Sequence, residues 1–242
     1  MAQRHPYNRK LTLFDGAEWH GLPVLTGRGP LIENYLERSH KVLQDAVEEY
    51  PRTCLIRCDL RVHQDRSEPD TTVISRFLAS LQAQIDADAN RKWMACKRVH
   101  PCKLRHIWAR EQGSSVHSHY HVALLLNRDA YFSLGDFRNR APGPQRENPA
   151  EGSVTRNMAD RIRKAWASAL GLRPEEAAGL VHFPENPVYR IDANSPDFGQ
   201  QFASAFYRVS YLTKAATKHY GDGHNSFGCS SLRILGPATP VE

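Results

Sequence analysis

The sequence predicts an α+β domain, one antiparallel sheet with helices mainly on one face, and three observations lead there. Apolar residues recur alternately with a period near 3.6 and a period near 2, which separates helices from strands. The resulting order is helix, strand, helix, strand, strand, helix, strand, helix; without the first helix it reads βαββαβ plus a last helix. The two central strands are joined by a short connection at 112–118 containing Gly113, Ser114 and Ser115, as a hairpin requires.

Residues 1–29 are polar, basic and rich in Gly and Pro, and are expected to form an irregular arm before a domain spanning 30–222. Pro30 opens a helical pattern in which Ile32, Leu36, Leu43 and Val47 share a face until Pro51 stops it. Residues 53–62 alternate: Cys54, Ile56, Cys58, Leu60 and Val62 point one way, Arg57, Asp59 and Arg61 the other. Asp70 is placed to cap a second helix with Ile74, Phe77, Leu78, Leu81 and Ile85 as its stripe. Strands follow at 104–111 and 119–126, then a loop near 141–152 and a helix at 154–170 that Gly171 ends. One or two short strands lie in 179–191, broken by Pro184 and Pro187. A last helix is expected over 197–219, and 223–242 reads as a tail.

The composition is that of an ordinary globular chain: 242 residues, 40% hydrophobic and 24% charged. The formal charge of +6 suggests a polyanionic partner, and its distribution sharpens the suggestion. Residues 91–110 hold Arg91, Lys92, Lys97, Arg98, Lys103, Arg105 and Arg110 with no acid among them. Five cysteines, none in a CxxC pair and none after a signal peptide, fit reduced thiols in a cytoplasmic protein. No apolar run approaches the roughly 18–20 residues of a membrane span, so a soluble protein is expected. The absence of GxxxxGK[ST] argues against a fused ATPase.

The run His117-Ser-His-Tyr-His-Val-Ala-Leu-Leu-Leu carries the strongest chemical signal. On a strand, His119 and His121 project from one face while Tyr120 and Val122 take the other. Two imidazoles so presented can chelate one divalent ion. Glu111 ends the preceding strand, and a hairpin fold-back would complete a two-histidine, one-carboxylate set with open positions. Asp59 and His117 are the alternative third ligands.

A second constellation lies in the last helix. Phe198, Phe202, Phe206, Val209 and Ala216 fall on one side, and Tyr207, Tyr211, Lys214 and Lys218 form a stripe opposite. A phenol beside ammonium groups is eased toward phenolate, and lysines can hold a phosphate. A metal that polarises a phosphate and a tyrosine that attacks it would together suffice to nick DNA.

These motifs resemble a known family. The strand HYHVALLL, the upstream glutamate and the YxxK of Tyr211-Leu-Thr-Lys214 look like the motifs of HUH rolling-circle replication initiators. The stretch from about Arg52 to Ser231 resembles the YagK/YfjJ C-terminal domain family, identified with inovirus-type phage or prophage replication proteins. The segments that carry this are IWAREQGSSVHSHYHVALLLNRDAYFSLGDF, RKAWASALG, GLVHFPENPVY, YRVSYLTKAATKHYGDG and FGCS.

The resemblance implies a ferredoxin-like sheet, His119 and His121 as ligands of Mg²⁺ or Mn²⁺, and Tyr211 as the nucleophile that becomes joined to a 5′-phosphate. The implied substrate is single-stranded or hairpin DNA at an origin, with a helicase borrowed from the host. Tyr207 to Tyr211 is similar to the paired-tyrosine motif of phage initiators, but Ser210 stands where such motifs often carry lysine, which leaves Tyr207 open as a second nucleophile. Lys97, Arg98, Lys103, Arg105 and Lys218 are the expected DNA contacts, with Trp93 and Trp108 beside them. A relaxase or transposase would use the same chemistry. A non-cleaving regulator would keep the fold alone, and a hydrolase in which water attacks would leave Tyr211 idle.

Overall fold

The computed structural model of the protein describes residues 3–62, 71–112, 119–135, 157–218 and 220–231. Its first elements are β1 (Leu13–Phe14), β2 (Glu18–Trp19), β3 (Leu22–Pro23), β4 (Leu31–Ile32), α1 (Glu33–Glu49), β5 (Arg52–Leu60) and α2 (Val73–Met94). There follow β6 (Arg105–Glu111), β7 (His119–Asn127), α3 (Met158–Leu170), β8 (Val181–His182), β9 (Val188–Asp192), α4 (Phe198–Ser210) and β10 (Phe227–Cys229). The expected Asp70 cap, the hairpin loop at 113–118 with His117, and the loop near 141–152 lie outside the described residues.

One six-stranded antiparallel sheet organises the molecule, in the order β10-β6-β7-β5, with β8 and β9 both pairing the far side of β5. Helices cover both faces, not mainly one as the pattern of elements suggested. Cys54, Ile56, Cys58 and Leu60 of β5, with Val122 and Leu124 of β7, pack under α2 and α3 around Phe77 and Trp166. Leu55, Ala123, Leu125 and Ile191 pack on the opposite side against α1 and α4, around Leu43 and Phe206. The reason lies in the strands themselves. From Val122 to Leu126 every residue is apolar, and a strand apolar on both faces needs cover on both.

The N-terminal segment does not stand apart as an arm. β1 pairs β4, and β2 and β3 form a hairpin whose turn residues His20 and Gly21 both have positive φ, 49° and 75°. The hairpin buries Trp19 against Phe206 of α4, ring centroids 5.7 Å apart, because an indole of that size needs a core to leave water. Nor does the tail begin at 223. Phe227, Gly228 and Cys229 pair with Ala109, Trp108 and Ile107 as the sheet's edge strand.

Local rules set the helix ends where they are met. The Asn157 side chain accepts from the Asp160 amide at 2.9 Å and caps α3, and Gly171 closes it at φ 67°. The last helix is shorter than its periodicity suggested. It ends at Ser210, followed by a single 3-10 turn at Tyr211–Thr213. Beyond it, the backbone finds partners in the N-terminal segment: Lys214 bridges to Leu31, and the Ala215 amide donates to the Pro30 carbonyl at 2.9 Å. Among the described residues, no helix is long and apolar enough to cross a membrane.

Candidate active site

Three strands meet at the site, on the sheet face shared with α4. Register places Asp59 opposite His121, and Glu111 opposite His119. Directly paired residues of an antiparallel sheet lie on one face, so all four side chains project together. The Nε2 atoms of His119 and His121 lie 3.2 Å apart, and Glu111 Oε2 lies 3.2 Å from His121 Nε2. One ligand atom from each of Glu111, His119 and His121 falls within 4.8 Å of the others.

Asp59 takes a different part from the one allowed for it as a ligand. Its Oδ1 lies 2.6 Å from His121 Nδ1, on the side of the ring away from Glu111 and His119. A carboxylate there fixes the plane of the imidazole and holds a proton on Nδ1, so that Nε2 is the nitrogen that would give up its proton to a metal. Arg57, buried within the sheet, donates to the same Asp59 oxygen at 3.2 Å. His182 on the edge strand lies 3.4 Å from the other oxygen and is exposed.

Glu111 is buried, and its two oxygens face cations. Lys214 Nζ lies 2.8 Å from Oε2 and Lys218 Nζ 2.9 Å from Oε1. Burial alone would raise the Glu111 carboxyl, but the His121 hydrogen bond and the Lys218 charge hold it far below the usual carboxylate range. Asp59 behaves likewise: burial opposes the charge, while His121 and Arg57 hold its carboxyl well below normal. Burial lowers the His119 imidazole, and neighbouring His121 lowers it further, which favours the neutral, ligating form. Lys218 is pulled down to about 8 by burial, against the pull of Glu111.

Tyr211 closes the cluster from the other side. Lys214 Nζ donates to its hydroxyl at 2.7 Å and lies 4.0 Å from its ring centroid. The ring stands edge-on to His121, centroids 5.2 Å apart. The ammonium of Lys214 therefore joins the phenol to the carboxylate of the two-histidine set. Tyr207 is 42% exposed on α4.

Two expected DNA contacts are placed otherwise. Lys218 is buried on Glu111, not presented on a helical stripe, because α4 ends eight residues earlier. Arg105 is buried against Glu49 at 2.8 Å and lies near Asp45 of α1, where it serves packing. Lys97, Arg98 and Lys103 are exposed, at the far end of β6. Sequence reasoning did not find His182. Nothing local to its strand marks it, and only the pairing of β8 with β5 brings it to Asp59.

A mixed α/β fold with a two-histidine, one-carboxylate cluster against a lysine-bound tyrosine defines the class of this protein. The chain belongs to the YagK/YfjJ C-terminal domain family, which matches residues 15–230. It is 37% identical over 224 residues to the uncharacterized protein YagK of Escherichia coli K12, covering 89% of this chain and 97% of that one. It is 30% identical over 217 residues to the uncharacterized protein YfjJ of the same organism, covering 84% and 96%. No solved structure matches.

The residues present fit a divalent ion. Two imidazole nitrogens and a carboxylate oxygen converge, the donor set suits Mn²⁺ or another first-row ion as well as Mg²⁺, and Asp59 already orients one imidazole.

Proposed function

We propose that the protein is an HUH-type endonuclease that nicks and rejoins single-stranded DNA through Tyr211, as an initiator of phage or prophage rolling-circle replication. The observation that carries the reading is the position of Lys214, in contact with both the Tyr211 hydroxyl and Glu111. A nucleophile and a metal-ligand set joined by one charged side chain have no evident use in packing alone.

His119, His121 and Glu111 would hold the divalent ion, which would draw charge from the non-bridging oxygens of the scissile phosphate. Tyr211 supplies the attacking oxygen. Its bond to phosphorus forms as the bond from phosphorus to the 3′-oxygen breaks. The phenol proton passes to solvent, and the departing oxygen takes up a proton, leaving a 3′-OH and a 5′-phosphotyrosine. Lys214, which donates to the Tyr211 hydroxyl, holds the attacking oxygen in place and sets a positive charge beside the phosphate. Asp59 keeps His121 in the ligating tautomer. Rejoining follows when a DNA 3′-OH attacks the phosphotyrosine, which restores the phosphodiester and releases the Tyr211 phenol; Tyr207, by attacking a second phosphodiester, would free such a 3′-OH.

The test is covalent trapping. Incubation with mixed single-stranded oligonucleotides and Mn²⁺ should give a protein–DNA band that survives denaturation, and Tyr211→Phe should lose it. Cleavage without an adduct would instead assign the attack to water, and binding without cleavage would make the protein a regulator.

A further inference from the structure

A second feature lies at the other end of β6. From Arg105 to Glu111 the strand rises roughly 20 Å, so what surrounds its start is well removed from Tyr211. There a cavity of about 810 Å³ opens between the last turns of α2, the segment 98–104 and the loop at 129–131. It is lined by Arg98, His100 and Lys103, by Tyr50 and Tyr131, and by the Asn90 amide. Trp93 and Met94, at the end of α2 just before this segment, are 70% and 75% exposed.

The charges are not equivalent. Arg91 and Lys92 are engaged by Asp88, Arg105 by Glu49, and Arg110 by Asp222. Lys97, Arg98 and Lys103 remain exposed, and among the described residues no carboxylate holds them. Two acids line the cavity: Asp129 is paired with Arg52 at 2.9 Å, and Asp86, which accepts from the neutral Gln82 amide at 2.8 Å, keeps its charge inside, where a base amino group and not a phosphate would meet it. Uncommitted cations, aromatic rings and the Asn90 amide along the cavity, with an exposed indole beside it, match one ligand chemistry. Phosphates seek the cations, and unpaired bases seek the rings and amides.

We propose that this groove is a second binding site for single-stranded DNA, holding a stretch several nucleotides from the one attacked, with phosphates on Lys97, Arg98 and Lys103 and an unpaired base on Trp93. The placement of the nick rests on the endonuclease reading, while binding in the groove does not. An oligonucleotide long enough to span both ends of β6 therefore binds more tightly than one that covers Tyr211 alone.

Fluorescence anisotropy with labelled oligonucleotides of increasing length tests this, using full-length protein with Lys97→Gln, Arg98→Gln and Lys103→Gln combined. These side chains are exposed, so the fold is retained. For long oligonucleotides the variant should bind about tenfold more weakly, and its log–log salt slope should fall by roughly 2, about 0.7 per lost phosphate contact. For short oligonucleotides the loss should be markedly smaller, so that the advantage of long over short DNA shrinks in the variant. Trp93→Ala should abolish the quenching of tryptophan emission on binding, since the other tryptophans are more buried. An unchanged slope, or an equal loss on short and long DNA, overturns the groove. Length-dependent binding through these residues without any nicking would keep the groove and overturn the endonuclease reading.

Discussion

Asp59 Oδ1 and His121 Nδ1 are 2.6 Å apart across two paired strands, and this contact decides which nitrogen of the imidazole faces Glu111 and His119. Asp59→Asn keeps the shape but offers the ring a choice of partner atom and tautomer. Mn²⁺ affinity, measured by calorimetry, should fall about 10–100-fold with little change in melting temperature. Unchanged affinity would make Asp59 a partner of Arg57 only.

Tyr211 and Tyr207 should separate in trapping experiments. Tyr211→Phe removes the oxygen that Lys214 contacts, and no covalent adduct should form. Tyr207 is exposed one turn earlier, so Tyr207→Phe should still give the adduct and show any defect at strand transfer. An adduct that survives Tyr211→Phe would reverse the roles.

His106 gives the fold a dependence on pH. Burial lowers its imidazole to about 4 from an ordinary 6.5, so the folded protein resists a proton that the unfolded chain accepts. The contribution of the neutral ring is complete above about pH 6.5 and is lost as the pH falls from there toward 4. The loss should be at most about 3 kcal/mol, since each pKa unit corresponds to about 1.4 kcal/mol. His106→Gln should flatten the fall in denaturation midpoint across that window. A parallel fall in both proteins would remove His106 as the cause.

Gly228 has no room for a side chain. A Cβ there would lie 2.4 Å from Cζ2 of Trp108, whose indole crosses the edge strand. Gly228→Ala should therefore cost about 1–3 kcal/mol through displacement of the ring. Combining it with Trp108→Leu should cost less than the sum of the two single changes, a coupling that a denaturation double-mutant cycle reads directly.

What was legible in the sequence was local. The alternation around His119 and His121 has a period of two residues, and the strand realises it directly. The pairing of Glu111 with His119 followed from a hairpin, and Tyr211 meets Lys214 three residues on, as a tight turn allows. What was not legible depended on distant parts of the chain. Lys218 joined the helical stripe on paper, but Pro30 and Leu31 take the backbone near Lys214, and Lys218 turns inward to Glu111. Arg105 counted as a DNA contact until α1 brought Glu49 to it. The second helical layer was hidden because a run such as Val122–Leu126 states that both faces are buried, not by what. His182 had no signal at all, being placed by pairing alone.

The two halves of the site are anchored with very different firmness. His119, His121, Glu111 and Asp59 stand on three adjacent strands covered from both sides, and amide exchange at their backbone should approach the rate set by global unfolding. Tyr211 rides on a single turn tied down by the N-terminal segment, through Ser210 to the Leu25 amide and through Lys214 to Leu31. Leu212 anchors the same turn in the core, so only its polar ties run to the N-terminal segment. The stretch from Leu25 to Leu31, at the join of the expected arm and the domain, thereby clasps the turn that carries Tyr211, and cutting it away should loosen Tyr211 before the strands that carry His119 and His121.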